Sequence, residues 1–329
     1  MMFDATPIPF EEFMRRALYG PERGYYARRI TGVGRRGDFT TAPMLTDAPA
    51  KAIAAWATKT MRATGCRDLL EIGPGEGHLA AAVMRHLPWH VRLRTRLHLV
   101  DVSTPLTLLQ HRLLGSRARW HASPAAAMAA CAGKAVVFSN ELVDAFPVRR
   151  FRKTPDGWRE LAVFRDADGS IRESLMPPAS LPESSAFATD HPPGQSIEVH
   201  DAYRRWLADW LPQWRAGRLL TIDYGATADT LYHRRPQGTL RAYLFQQRLE
   251  GLAIYQNPGR QDLTADVNFT DLVHWSAPWT GTPYLQSLAA FLRDVIDPAN
   301  PADLALTDDR GAGAAFLVLD QPCADPERC

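Results

Sequence analysis

The sequence predicts an α/β protein: a mostly parallel, Rossmann-like sheet with helices on both faces, plus N-terminal helices and an inserted antiparallel β-rich subdomain. Three observations carry that expectation. From about residue 67 short apolar runs alternate with amphipathic helical stretches, a rhythm that requires crossover connections and strands covered on both faces. A glycine-rich turn, Gly73-Pro74-Gly75-Glu76-Gly77, directly follows the first of those runs. Acidic residues then close the next two runs, Asp101 and Glu141, where open α/β sheets place their ligands.

The elements follow in order. Phe10, Phe13, Met14, Ala17 and Leu18 share one helical stripe, which Gly20-Pro21 stops. The stretch Thr31 to Phe39 is too rich in glycine to pack as a regular element and reads as a loop, and a second helix is expected from about Pro49 to Ala63. Next come a strand at Asp68–Ile72, a helix over Leu79–Leu87, a strand at Leu97–Val102, helices at Pro105–Leu114 and Pro124–Ala130, and a strand at Lys134–Ser139. Strand-like runs at Val148–Arg152, Trp158–Phe164 and Ser196–His200 are separated by turn signals at Pro155-Asp156-Gly157 and Asp168-Gly169. They suggest an antiparallel insertion that covers the substrate side. A helix over Ala202–Trp214 and a strand at Leu219–Tyr224 resume the main rhythm, residues 226 to 238 and 256 to 260 read as surface loops, and Ala315–Leu319 is expected to close an edge of the sheet. The organisation is thus a helical cap with its loop over 1–66, a core over 67–147 and 201–329, and the insertion over 148–200.

Bulk properties narrow the partners. With 329 residues and 46% hydrophobic content the chain can bury a substantial core. Its 38 basic and 36 acidic residues nearly cancel, so no nucleic acid partner is expected. The cysteines, Cys66, Cys131, Cys323 and Cys329, show neither metal-ligand spacing nor a secretory framework, which favours a reducing, cytoplasmic setting. Pro88 breaks the helix that would bring His86 and His90 to one face, and no metal site is expected. The start, Met1 to Pro7, lacks the flank and apolar run of a signal peptide, and no membrane association is expected. Homodimerisation is left open.

The chemistry concentrates in three places. Gly73, Gly75 and Gly77 let backbone approach a ligand ahead of a helix N-terminus, and their spacing departs from the dinucleotide pattern because His78 stands where a glycine would fall one place later. Glu71, just before them, suits the cationic amino-acid end of S-adenosylmethionine and would repel a pyrophosphate. Asp101, followed by Val102, can accept both ribose hydroxyls, or instead cap the next helix together with Ser103. Asn140-Glu141 leaves the following strand. If residues 141 to 144 made a helical turn, Glu141 and Asp144 would project together and hold a cationic or protic acceptor, the alternative being an acidic pair at a helix start.

On these motifs the chain resembles the MidA-like family of class I S-adenosylmethionine-dependent methyltransferases, which includes mitochondrial complex I assembly-factor enzymes. Gly24-Tyr25-Tyr26 and Gly37-Asp38-Phe39-Thr40-Thr41-Ala42-Pro43 look like its N-terminal signature, and Glu71-Ile72-Gly73-Pro74-Gly75 like its cofactor loop. Asn140-Glu141, Asp144-Ala145, Ile222-Asp223-Tyr224-Gly225 and Gly238-Thr239-Leu240-Arg241 extend the similarity along nearly the whole chain. The resemblance implies a class I methyltransferase fold, S-adenosyl-L-methionine as cofactor, and protein arginine as acceptor for the mitochondrial members. It also implies that Thr41 and Pro74 lie beside the cofactor and that residues 140 to 144 line the acceptor pocket. The chain departs from the family where Met44-Leu45 follow Pro43, where Gln246 or Gln247 replaces a usual histidine, and at Asn268. Two other readings stay open: a small-molecule O- or N-methyltransferase, and an assembly factor that keeps the fold without the chemistry.

Overall fold

The computed structural model describes residues 5–29, 46–245, 247–308 and 311–324. The Gly-rich stretch from Thr31 to Phe39, and Thr41 with it, lie outside the described residues. Seven strands form the central sheet: β1 (Asp68–Ile72), β2 (Arg96–Val100), β3 (Ala118–His121), β4 (Ala135–Asn140), β5 (Arg218–Ala226), β6 (Tyr284–Ser287) and β7 (Phe316–Pro322). Their spatial order is β3-β2-β1-β4-β5-β7-β6, with the short strand Val267–Asn268 pairing the end of β5. Strands β3 to β5 are mutually parallel across β2, β1 and β4, whereas β7 runs antiparallel to both β5 and β6. This is the doubly wound arrangement with one antiparallel strand slotted between the fifth and sixth positions. The last strand therefore does not close the edge, as expected from its sequence, because the amphipathic run Tyr284–Ser287 covers it.

Alternation within the strands divides the core. Leu69, Leu97, Leu99, Val136, Phe138, Leu220 and Ile222 pack against α2 (Ala48–Thr64) and α3 (His78–His86). Leu70, Ile72, Val100, Val137 and Leu219 face the other way, towards α5 (Pro124–Ala130) and α6 (Asp201–Trp210). Local chemistry sets the helix ends: Ser103 Oγ accepts the Leu106 N–H at the start of α4 (Thr104–Leu114), Ser123 does the same for Ala126, and Gly65 at φ 72° ends α2. Among the described residues no helix is long and apolar enough to cross a membrane.

The N-terminal cap is not separable from the core. In α1 (Phe10–Tyr19) the residues Phe10, Phe13, Met14, Ala17 and Leu18 are all buried against Val148, Val163, Leu240 and Tyr255. Each large apolar side chain so buried contributes about 1.5–3 kcal/mol, so this helix is anchored by its own buried face. The antiparallel insertion is present, built from Arg149–Thr154, Gly157–Arg165, Ile171–Leu175 and Ser196–Val199, with Ile8–Pro9 added from the N-terminus. Its apolar side chains, among them Phe151, Ile197 and Val163, pack into the two neighbouring cores, and none of the described residues from 148 to 200 lines the cavity at the strand ends. A further small sheet, Arg241–Leu244 with Gln247–Leu249 and Asp262–Thr264, occupies a region where the sequence offered no strand signal strong enough to read.

Candidate active site

A cavity of about 690 Å³ opens at the carboxyl ends of β1, β2 and β4. That volume falls within the range of small-molecule sites. Of the residues expected to bind a cofactor, Glu71, Gly73, Pro74, Gly75, Asp101, Val102 and Asn140 line it, and so does Glu141. A second, more open depression of about 700 Å³ lies on the outer face of α2, bordered by Lys51, Lys59 and Arg62. It is remote from the strand ends and offers none of these groups.

The glycine turn is shaped by contact. Gly73 sits at φ 70°, and a Cβ there would stand 2.7 Å from Leu142 Cδ1; only glycine satisfies both demands. Gly77, at φ 86°, is the residue before α3; it packs against Leu114 and Gln110 and is not among the cavity-lining residues. Gln110 is fully buried, and its Nε2 donates to Gly75 O at 2.7 Å and to Asp101 Oδ2 at 2.8 Å. Trp120 Nε1 donates to Gln110 Oε1 at 3.0 Å, which fixes the amide's orientation. This clamp ties the glycine turn to Asp101, and nothing in the local sequence announces it.

The two carboxylates beside the turn are held ready for cationic or hydroxyl partners. Glu71 is 2% exposed, and among the described residues its Oε2 has no hydrogen-bond partner. Burial, with the neighbouring Asp101 charge adding to it, pushes its carboxyl up to about 8, against the pull of the Ala80 N–H. Asp101 accepts the Ser103 N–H at 2.8 Å, and burial raises it to about 6 despite that bond and Gln110. Asp101 thus holds the backbone of Ser103, the residue that caps α4, and also lines the cavity. A buried carboxylate oxygen left unpaired among the described residues, on a side chain that lines the cavity, fits the ammonium of an amino-acid ligand, which is the test that S-adenosylmethionine must meet here.

At the end of β4 the backbone turns sharply. Glu141 adopts φ 52°, a left-handed conformation uncommon for a non-glycine residue, while its N–H bonds Ile222 O at 2.9 Å. Both carboxylate oxygens are engaged: Asn140 Nδ2 donates to Oε1 at 3.0 Å and Tyr224 Oη to Oε2 at 3.1 Å. Tyr224 is itself wedged against Phe316, 3.9 Å between ring centroids, with the Arg241 guanidinium 5.2 Å over its ring.

Asp144 is placed differently from its expectation. Residues Val143–Ala145 form a 3-10 turn, Glu141 is not part of it, and Asp144 does not line the cavity. The cause is Asp223: its fully buried Oδ2 receives the N–H groups of Leu142 at 3.1 Å and Val143 at 2.7 Å, drawing the turn inward. Asp144 consequently lies in a buried acidic group with Asp223 and Asp262, where burial and these like charges push its carboxyl upward. Tyr26 Oη donates to Asp262 Oδ1 at 2.9 Å, and Tyr19 Oη to Ala145 O at 2.9 Å. Both tyrosines line the cavity, as do Phe146 and Trp206; Tyr26 stands in the N-terminal signature, but none of the four was expected as a site residue.

With that geometry in hand, similarities to known proteins are informative. Residues 52–282 match a family model described as "Putative S-adenosyl-L-methionine-dependent methyltransferase". The chain is 29% identical to a mitochondrial protein arginine methyltransferase of Xenopus tropicalis over 80% of its own length and 66% of the relative's. It is also 29% identical to the Homo sapiens protein of that name, over 81% and 65% respectively. The chain thus spans about two thirds of the length of these relatives. Among solved structures, a Burkholderia thailandensis protein bound to S-adenosyl-homocysteine superposes with a TM-score of 0.82 at 30% identity, covering 96% of this chain and 88% of that one.

Proposed function

Since the chain belongs to this S-adenosyl-L-methionine-dependent methyltransferase family, we propose that it transfers a methyl group to the guanidinium of a protein arginine. The observation that carries the reading is Glu141: a cavity-lining carboxylate with both oxygens oriented, at the strand end next to the glycine turn. S-adenosyl-L-methionine, when bound, supplies an electrophilic methyl group on a sulfonium. The residues that would hold it are Glu71 for its ammonium, the backbone of Gly73 to Gly75 for close approach, and Asp101 for its ribose. Glu141 orients the acceptor nitrogen by a charge-assisted hydrogen bond and takes up the proton released as that nitrogen is alkylated. Asp144 acts behind it as a positioning residue in the turn that carries Leu142 and Ala145. The arginine acceptor is supported by the two relatives' names and by a carboxylate suited to a planar cation.

The test is transfer of a radiolabelled methyl group from cofactor to protein in a cell extract. Label recovered as methylarginine after hydrolysis supports the reading, and label confined to small molecules overturns it. A small-molecule acceptor is the second reading, favoured by the aromatic wall of Tyr19, Tyr26, Phe146 and Trp206. The setting we assign is a reducing one, as buried Cys66 and Cys131 are thiols.

Glu71 gives a sharper expectation. A bound ammonium favours the ionised carboxylate, so cofactor affinity will rise with pH and level off above about 8, where the free protein's Glu71 has already lost its proton. Glu71→Gln will weaken binding by roughly 10–100-fold at pH 8.5 and abolish the slope, as read by isothermal titration. In the unbound protein the sign is opposite: a raised carboxyl stabilises the fold at acid pH, and that contribution is lost as pH rises from 4.5 through about 8.

A further inference from the structure

At the opposite edge of the sheet, three side chains converge that the methyl-transfer site does not use. Asp68 opens β1, His98 lies in β2 and Cys131 ends α5. A carboxylate oxygen, a ring nitrogen and the sulfur of these residues all lie within 4.8 Å of one another, and all three residues are buried. Registration explains the meeting. Asp68 pairs with Arg96 and Leu70 with His98, so Asp68 and His98 project on the face that α5 covers. His98 Nε2 is 2.9 Å from Asp68 Oδ1, and its Nδ1 is 2.8 Å from His121 Nε2. Arg96 grips the same carboxylate through Nε and Nη2.

We propose that Asp68, His98 and Cys131 form a three-ligand site for a divalent transition metal of zinc type. The mixed oxygen, nitrogen and sulfur donor set selects such an ion, since calcium and magnesium take oxygen ligands. His98 binds through Nε2 as the tautomer protonated on Nδ1, and Nδ1 then donates to His121, the outer partner that a ligating histidine requires. The thiol proton of Cys131 leaves on binding. Loss of that proton offsets one of the ion's two positive charges, and the Asp68 carboxylate is shared between the ion and Arg96, so binding adds one positive charge beside the half-exposed Arg96 guanidinium. Three protein ligands leave one tetrahedral position for water. Some thirty residues separate each ligand from the next, so no short spacing motif signals the site.

The experiment is a cobalt(II) titration of the metal-free full chain, followed by electronic absorption with circular dichroism as the folding control. One equivalent should bind with a thiolate-to-cobalt charge-transfer band that zinc displaces. Cys131→Ser should abolish the band, Cys66→Ser should leave it, and His121→Gln should keep it while weakening affinity by about 10–100-fold. A folded wild-type chain without a saturable band overturns the proposal, as does a band that survives Cys131→Ser. Should Cys131→Ser not fold, alkylation of the wild type mapped by mass spectrometry decides: zinc must protect Cys131, and equal labelling with and without zinc overturns the site.

Discussion

Glu141→Gln will lower methyl-transfer turnover by about 10²–10⁴-fold and change cofactor affinity by less than about threefold. The substitution keeps the size and the left-handed backbone of the residue, and the Glu141 N–H will still meet Ile222 O. What changes is the acceptor capacity of the side chain. Asn140 and Tyr224 now donate to two separate carboxylate oxygens, and a glutamine presents only one oxygen to them. It also cannot take a proton from an alkylated nitrogen. Tyr224→Phe should fall between wild type and Glu141→Gln, because it frees one oxygen while leaving the charge. Single-turnover assays with labelled cofactor, beside isothermal titration, separate the outcomes. Unchanged turnover would remove the proposed role, and a parallel collapse of cofactor affinity would move Glu141 from the acceptor to the cofactor.

How much of this was legible in the sequence depends on the range of the interaction. The turn Gly73 to Gly77, Asp101 and Asn140-Glu141 each end an apolar run, and a parallel sheet gathers all strand ends of one polarity, so local pattern sufficed to assemble the cavity wall. Strand β3 escaped because an edge strand of four residues, Ala118-Arg119-Trp120-His121, buries too little to show alternation. The small sheet from Arg241 to Thr264 escaped for a similar reason: its strands have three or four residues and polar faces. The misplacement of β7 was a topological error, since a buried run of Phe316 to Leu319 says that both faces are covered but not which neighbours flank it. Gln110, Asp223 and Tyr224 act across gaps of up to 83 residues through side-chain hydrogen bonds, and no periodicity encodes such a bond. Asp144 was misread because its spacing from Glu141 invites a helical turn, while the Asp223 carboxylate, far along the chain, imposes a different one.

Asp223 is therefore where stability and the site meet, and its replacement carries the largest structural consequence. Its carboxylate accepts the N–H groups of Leu142 and Val143 on Oδ2 and of Tyr224 on Oδ1 at 2.9 Å, with no solvent exposure to compensate their loss. Asp223→Ala should lower unfolding free energy by about 3–5 kcal/mol, because each buried donor left unpaired costs about 1–3 kcal/mol and relaxation recovers part. Denaturant unfolding measures this, and a loss under about 1 kcal/mol would show that the turn is held by other means. The milder Asp223→Asn isolates the charge. Burial raises the Asp223 carboxyl to about 7, above the ordinary 3.8, so across that window the folded chain binds the proton more tightly than the unfolded one. This contribution to stability is full below pH 3.8 and is lost as pH rises through about 7. Asp223→Asn should accordingly be least stable relative to wild type in acid, and close that gap towards neutrality as the wild type ionises beside Asp144. A stability difference that does not vary with pH across this range would mean that the folded and unfolded chains bind this proton equally, and that burial does not raise the Asp223 carboxyl.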